Sequence, residues 1–324
     1  MLSRVYTTRD YPQVLCLLPT YELAIQTAEV AAEIAQYSQI KIRLAVRGDN
    51  VPRGKNFDDH IIIGTPGAVL KLIHKQVFDI KKIHVFVFDE ADVMIASNDH
   101  QEQCLGIHKQ LPRECQTLLF SATYDSKAMV LAHCITQNPI VIKLKREQES
   151  LDKIKHFYIK CRTQNEKYTE IRNIYDDITT GQAIIFCQTR ARVNWLADNF
   201  VEDRHSVAVL STDLNVNQRL AVLDRFRLDL DKVLITTNVL SRGVDVENVD
   251  IVINYDLPVG VHGNVDCETY LHRIGRIGSF GGEVFNFIDS EQSMEGCRTI
   301  ERHFQIKMNS PTAENSDEIE QIDS

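Results

Sequence analysis

Nothing in this 324-residue sequence approaches the run of about 20 apolar residues that crosses a bilayer as a helix, so membrane insertion by a helix is excluded. No C-x-x-C pair occurs either. The eight cysteines (Cys16, Cys104, Cys115, Cys134, Cys161, Cys187, Cys267, Cys297) are scattered, mostly through apolar strand and helix contexts. They are expected as reduced core thiols of a cytosolic or nuclear protein. A surplus of positive charge is also missing, the formal net charge being −9. Any nucleic-acid binding must therefore come from local arrangement. Tryptophan occurs once, as Trp195 beside Leu196 in an apolar helical stripe, and is expected to pack in the core.

What is present begins with Val85-Phe86-Val87-Phe88, an unbroken run of β-favouring residues. That is the pattern of a strand buried on both faces of a parallel sheet. It ends abruptly in Asp89-Glu90-Ala91-Asp92. Carboxylates at the C-terminal end of such a strand stand where open α/β sheets bind ligands. In phosphate-handling sites an acidic residue there holds Mg²⁺, and its neighbour orients a water. A second pattern recurs: an apolar strand ends in threonine and a helical pattern starts at once, at Thr20, Thr65, Thr123, Thr189 and the Thr236-Thr237 pair. Threonine is a good N-cap, Pro66 suits the first helical position, and a helix N-terminus offers free N–H groups to an anion. One such junction is ordinary capping. Five predict a crest that meets a polyanion.

Alternating strands and helices predict parallel sheets with right-handed crossovers. A first series runs from 14 to about 143, with a helix over 28–37, a strand over 40–46 and a closing strand over 140–142. A second starts near 154, with strands over 183–187, 207–210, 233–237 and 251–254, a helix over 218–226, and a strand over 284–288 that closes the sheet. The expected division is a first domain over 1–146, a charged linker over 147–153, a second domain over 154–307 and an acidic tail over 308–324. Two such halves joined by a hinge predict a ligand cleft.

Four motifs in register carry a family. Asp89-Glu90-Ala91-Asp92, Ser121-Ala122-Thr123, Ser241-Arg242-Gly243-Val244-Asp245 and His272-Arg273-Ile274-Gly275-Arg276 occur in an order that resembles the DEAD-box RNA helicases. The resemblance covers 11 to about 304. Pro19-Thr20-Tyr21-Glu22-Leu23-Ala24, Val46-Arg47-Gly48-Asp49-Asn50 and Asn254-Tyr255-Asp256-Leu257-Pro258 are similar to its nuclear-pore, mRNA-export branch. The resemblance implies an α/β fold of two RecA-like parallel-sheet domains in tandem, the first incomplete. It implies ATP hydrolysis coupled to RNA remodelling, ATP and Mg²⁺ as cofactors, and single-stranded RNA and nuclear-pore or mRNA-export factors as partners. The implied location is cytoplasmic and nuclear, with a place at the pore.

The resemblance also assigns roles. Asp89 holds Mg²⁺ through water, Glu90 positions the attacking water, and Arg276 is an arginine finger. Ser121 and Thr123 link that site to the second domain, Gly243 and Asp245 meet the nucleotide, and His272 and Arg273 tie that strand end back to the first domain. RNA contacts fall to Pro19, Thr20, Gly48, Thr65, Pro66 and Gly67, then to Thr189, Arg190, Gln218, Arg219, Thr236 and Asn238. These address phosphate and 2′-OH groups, with little sequence preference.

The sequence departs from the family in two places. No G-x-x-x-x-G-K-[ST] occurs, and the Gly54-Lys55 pair has the wrong neighbours. In the family the strand of that phosphate cradle lies between the strands ending at Asp89 and Ser121. Without it two buried edges stand open, at about 1–3 kcal/mol per unsatisfied group. The expectation is a truncated or internally started piece of a longer protein, or, second to that, a rearranged first domain. Further along, Ile277 stands where the family has threonine and Ser279 where it has a second finger arginine. ATP hydrolysis by this chain is therefore expected to be poor. Three readings stay open: an ATP-dependent RNA helicase, a non-enzymatic RNA- or partner-binding descendant of one, and, third, a DNA-acting ATPase that shares this two-domain core.

Overall fold

The computed structural model describes the chain apart from residues 47–55, 97, 122–125, 137–138, 143–150, 152, 178–180, 212, 239–245, 247–248, 261–262, 279–280 and 312–324. Gly48, Thr123, Gly243, Asp245, Ser279, most of the expected linker and the tail beyond Pro311 lie outside the described residues. Two units result, Met1–Ile142 and Lys143–Ser324.

In the first unit, strands β1 (Val14–Leu17), β2 (Ile42–Ala45), β3 (Ile61–Gly64), β4 (Val85–Phe88) and β5 (Gln116–Leu119) pair in parallel, in the order β2-β3-β1-β4-β5. The helices are α1 (Tyr21–Ile34), α2 (Pro66–His74), α3 (Ala91–Ala96), α4 (Asn98–His108) and α5 (Ser126–Ile135). Successive residues of one strand serve opposite faces. Val14 and Cys16 pack with Ala24 and Ala31 of α1, while Leu15, Leu17, Phe86 and Phe88 pack with Val69 and Leu72 of α2 and Ile107 of α4. With both faces covered, the central strands β1, β3 and β4 are buried at every position, which is why they read as unbroken apolar runs.

Strands β4 and β5 pair directly, Val85 opposite Gln116 through Phe88 opposite Leu119. Gln116 N donates to His84 O at 2.9 Å and Phe120 N to Phe88 O at 2.8 Å. The two open edges expected between the Asp89 and Ser121 strands are therefore not there. The ladder closes across that place, and the backbone groups that isolation would have penalised are satisfied. The closing strand expected over 140–142 does not form, and Ile140 and Ile142 are 92% and 80% exposed. Strand propensity is a fit to a pleated neighbour, and this segment has none among the described residues.

The residues ahead of β1 are fixed at the end of the sheet where the strands begin. Gln13, fully buried, accepts from Tyr6 N at 2.9 Å and donates to Tyr6 O at 2.9 Å and Arg9 O at 3.1 Å. His84, just ahead of β4, lies 2.8 Å from Arg4 O through Nε2, and Lys82 sits over the Tyr11 ring.

The second unit holds β6 (Ile154–Lys160), β7 (Ala183–Cys187), β8 (Val207–Leu210), β9 (Val233–Thr237), β10 (Ile251–Asn254) and β11 (Gly282–Ile288), paired in parallel as β6-β11-β10-β7-β9-β8. Its helices are α6 (Gln164–Asp177), α7 (Arg190–Glu202), α8 (Val216–Arg227), α9 (Cys267–Ile274) and α10 (Glu291–Phe304). The expected closing strand does not close this sheet, because β11 lies between β6 and β10. Beyond β6, Asn309 exchanges hydrogen bonds with the backbone of His156 and Tyr158 at 2.8 and 2.9 Å, and Met308 is buried. Residues 308 and 309 thus extend the sheet instead of opening the tail. Trp195 meets Tyr168 edge-on at 6.1 Å beside the core, as expected.

All eight cysteines are free, and Cys16, Cys104, Cys161, Cys187 and Cys297 are buried. Burial pushes the Cys104 and Cys297 thiols up to about 12, so they stay neutral. No described helix is long and apolar enough to cross a membrane.

Candidate functional site

Each crest lies at the C-terminal ends of its strands. In the first unit, β1 runs through the buried Pro19 to Thr20, whose Oγ1 accepts from Leu23 N at 3.3 Å and caps α1. Thr65 precedes α2 with extended backbone angles, and its hydroxyl does not cap that helix. Pro66 is buried at the first helical turn, while Thr65 and Gly67 stay half-exposed. Two helix N-termini thus face the end of one sheet, with hydroxyls and a side-chain-free position beside them.

The carboxylates sit beside these. Asp89 N donates to Leu17 O at 3.0 Å, which anchors the residue to the neighbouring strand. Its Oδ1 accepts from Glu90 N at 3.0 Å. Glu90 has φ 51°, in the left-handed region. That conformation costs a residue with a Cβ on the order of 1 kcal/mol, and such strain gathers where a side chain must be aimed. Ala91 N donates to Phe120 O at 3.0 Å and Asp92 N to Ser121 Oγ at 3.2 Å. The Ser121 hydroxyl, expected to link toward the second domain, here receives the first turn of α3 in its own unit.

Burial raises the Asp89 carboxyl above its usual range, and the nearby Asp92 adds to this, against the hydrogen bond from Glu90 N. The sign follows. A carboxyl whose folded value is raised favours the fold when protonated, and that contribution is lost as pH rises through the carboxylate range. Asp89→Asn is expected to stabilise the first unit at neutral pH by about 0.5 kcal/mol, the half-buried position being partly screened. The gain should vanish at pH 3. Urea titrations read by hydrogen exchange of the β4 amides test this, and a variant less stable than wild type at pH 7 would contradict it.

In the second unit the turn Gln188-Thr189-Arg190 is exposed. Thr189 Oγ1 caps α7 by accepting from Arg192 N at 3.3 Å. Arg190 forms an exposed ion pair with Asp213, a weak tie that phosphate can displace. Gln218 is committed to the capping box of α8, accepting from Asn215 N at 2.9 Å. Arg219 is half-buried in the same helix. Thr236 is buried, its hydroxyl donating to Leu210 O at 3.0 Å. Asn238 turns its Oδ1 inward to Arg273. Of the six residues expected to contact RNA here, Thr189, Arg190 and Gln218 are exposed.

Burial separates the two motif arginines. His272, in the last turn of α9, and Arg276, two residues past the end of that helix, are half-exposed, whereas Arg273 points inward and is fully buried. Its Nε donates to Asn238 Oδ1 at 2.9 Å, and its Nη1 to Asn254 Oδ1 at 2.6 Å and Asp256 O at 2.7 Å. The guanidinium also lies 4.9 Å from the centre of the Phe186 ring. Burial pulls it down to about 9, so it remains charged at neutral pH. Arg273 is therefore an interior brace of the second unit, joining Asn238, Asn254 and Asp256. Arg276, whose Nε donates to His272 O at 3.3 Å, keeps the exposure a finger needs.

Sequence reasoning missed Asp256. The signal was there: it is an acid two residues past the end of β10, behind the apolar run Ile251-Val252-Ile253 of a parallel strand. Its partners Arg192 and Lys167 are distant in sequence, and strand order brings them together.

Comparison with known proteins places this geometry. The model of the DEAD/DEAH box helicases matches residues 1–130, and that of the helicase conserved C-terminal domain matches residues 166–281. The chain is 55% identical over 326 residues to the DEAD-box helicase Dbp80 of Drosophila melanogaster, covering 99% of this chain and 71% of that protein. It is similar to S. cerevisiae Dbp5 L327V solved with RNA and ADP BeF3, at 36% identity and TM-score 0.88, covering 99% of this chain and 83% of that one. It is also similar to the same protein solved with Nup159, Gle1 H337R, IP6 and ADP, at 34% identity and TM-score 0.66, covering 95% and 80%.

Proposed function

Because this chain belongs to the DEAD-box RNA helicases, in their Dbp5/DDX19 mRNA-export branch, we propose that it binds single-stranded RNA along its backbone and serves ATP-dependent RNA remodelling in mRNA export. The observation that carries this is the exposed, threonine-capped start of α7 with Arg190 beside it. Free N–H groups, a hydroxyl and one displaceable cation form a surface for phosphate that needs no net positive charge. The solved relatives carry RNA, Gle1 and Nup159. RNA and nuclear-pore factors are accordingly the partners proposed here, with the cytoplasm, the nucleus and the pore between them as location.

For Mg²⁺ the donor set fits. Asp89, Glu90 and Asp92 are hard oxygen donors at one strand end, and burial makes the Asp89 charge unfavourable until a cation meets it. Asp89 would hold the ion through water, and Mg²⁺ would supply charge neutralisation on the phosphates. For the triphosphate the residues fit less well, since these 324 residues contain no Gly-rich loop with its lysine. Direct pairing of β4 and β5 favours a second reading beside the first, a binder that holds RNA or an export partner without turnover.

Fluorescence anisotropy with labelled single-stranded RNA and DNA of one sequence tests the shared part of both readings. RNA is expected to bind several-fold tighter, because the 2′-OH supplies contacts that DNA lacks. Equal affinity, or no binding by the folded chain, would refute it.

A further inference from the structure

Asp256 is 7% exposed just past the end of β10. Its Oδ2 accepts the N–H of Gln188 at 2.8 Å, and its Oδ1 accepts from Arg192 Nη1. Lys167 Nζ lies 3.7 Å away and is itself buried, donating to Tyr255 O at 2.9 Å and Asp289 Oδ2 at 2.8 Å. Two cations and two carboxylates thus meet under one turn of chain.

Where those bonds land matters more than their number. Gln188 immediately precedes the Thr189 cap, and Arg192 is the third residue of α7. One carboxylate therefore grips the helix start from both sides and from below, and leaves Thr189 and Arg190 exposed above. A cation in the first turn of a helix opposes the dipole. Arg192 is tolerated there because it turns inward to Asp256. The same strand end is held from the other side by Arg273, which donates to Asp256 O.

We propose that Asp256 and Arg192 are positioning residues for the RNA backbone: they fix the Gln188–Arg190 turn so that the first N–H groups of α7 are aimed at phosphate, without touching RNA themselves. This rests on reading the start of α7 as an RNA-backbone site.

The test is the salt dependence of binding to a single-stranded RNA, measured with the full chain. Each phosphate neutralised contributes a slope of about −0.7 in log affinity against log salt for single strands. Arg190→Ala, a contact variant, should lower both affinity and slope by about one contact. Arg192→Met keeps the stem packed and leaves Asp256 with Gln188 and Lys167. It should weaken binding about tenfold, the scale of one or two hydrogen bonds lost from alignment, with the slope unchanged. Arg192→Lys, which keeps the charge without the planar fork, should fall between. It supplies the reading if Arg192→Met fails to fold.

The outcomes separate. Arg190→Ala weakening binding while both folded Arg192 variants bind as wild type would overturn the positioning role and leave the RNA site standing. A slope lowered by Arg192→Met would mean that Arg192 contacts phosphate directly, and would also overturn it. No effect of Arg190→Ala, or no RNA binding by the wild-type chain, would remove the site and the proposal with it.

Discussion

Arg273→Met is expected to lower the melting temperature of the second unit by on the order of 10 °C. Methionine matches the buried volume but removes the donor that Asn238 Oδ1, Asn254 Oδ1 and Asp256 O share. Each unsatisfied buried group costs about 1–3 kcal/mol, and breaking a buried ionic arrangement from one side costs about 3–5 kcal/mol in all. Against a total margin of roughly 5–15 kcal/mol, that is a large share. For a unit of this size each kcal/mol moves the midpoint by about 2–4 °C. The chain's single tryptophan, Trp195, lies in the second unit, so its fluorescence follows this transition alone. Arg276→Met is the control and should shift the midpoint by no more than about 2 °C, since a half-exposed arginine leaves little buried behind it. Equal shifts for the two variants would refute the division of labour between them.

Phosphate release from ATP, with Mg²⁺ and RNA saturating, should be no faster for the 324-residue chain than for its Glu90→Gln variant. Glu90 is held in a strained backbone beside Asp89, which is consistent with a side chain aimed at a ligand. A well-aimed carboxylate cannot replace the missing parts. These residues contain no G-x-x-x-x-G-K-[ST] motif to cradle the phosphates, and Ser279 stands in place of a finger that is worth about 10³-fold or more in turnover. The two chains should agree within about threefold, the scatter of such assays at rates near background. A wild-type rate tenfold above Glu90→Gln and abolished by Asp89→Ala would overturn this. Titration calorimetry with an ATP analogue then separates the readings. Saturable binding lost on Asp89→Ala keeps the enzymatic reading, and no binding by the folded chain leaves the RNA or partner binder.

The strands were the most legible part of the sequence. Ala183–Cys187, Val207–Leu210, Val233–Thr237 and Ile251–Asn254 have the bounds that the sequence pattern predicts, because strands of a covered parallel sheet read as largely apolar runs. Neighbour relations were not legible. A run of β-favouring residues says nothing of which edge it meets, so Ile140–Ile142 was expected as a strand, β11 was expected at a sheet edge, and β4 was expected apart from β5. Of the site, the motif carboxylates and the threonine caps could be read locally. The burial of Arg273 and the grip of Asp256 on Arg192 could not, since the latter joins residues 64 apart that only sheet order brings together.

The fastening of residues 4–9 by Gln13 and His84 has a practical side. Because those residues are clamped where the strands of the first sheet begin, an affinity handle joined to Met1 emerges on the side opposite Thr20, Thr65 and Asp89. A sensor surface that captures the protein by that handle presents the crest of the first unit to the flowing solution, and oligonucleotide or nucleotide can reach it without shielding by the support.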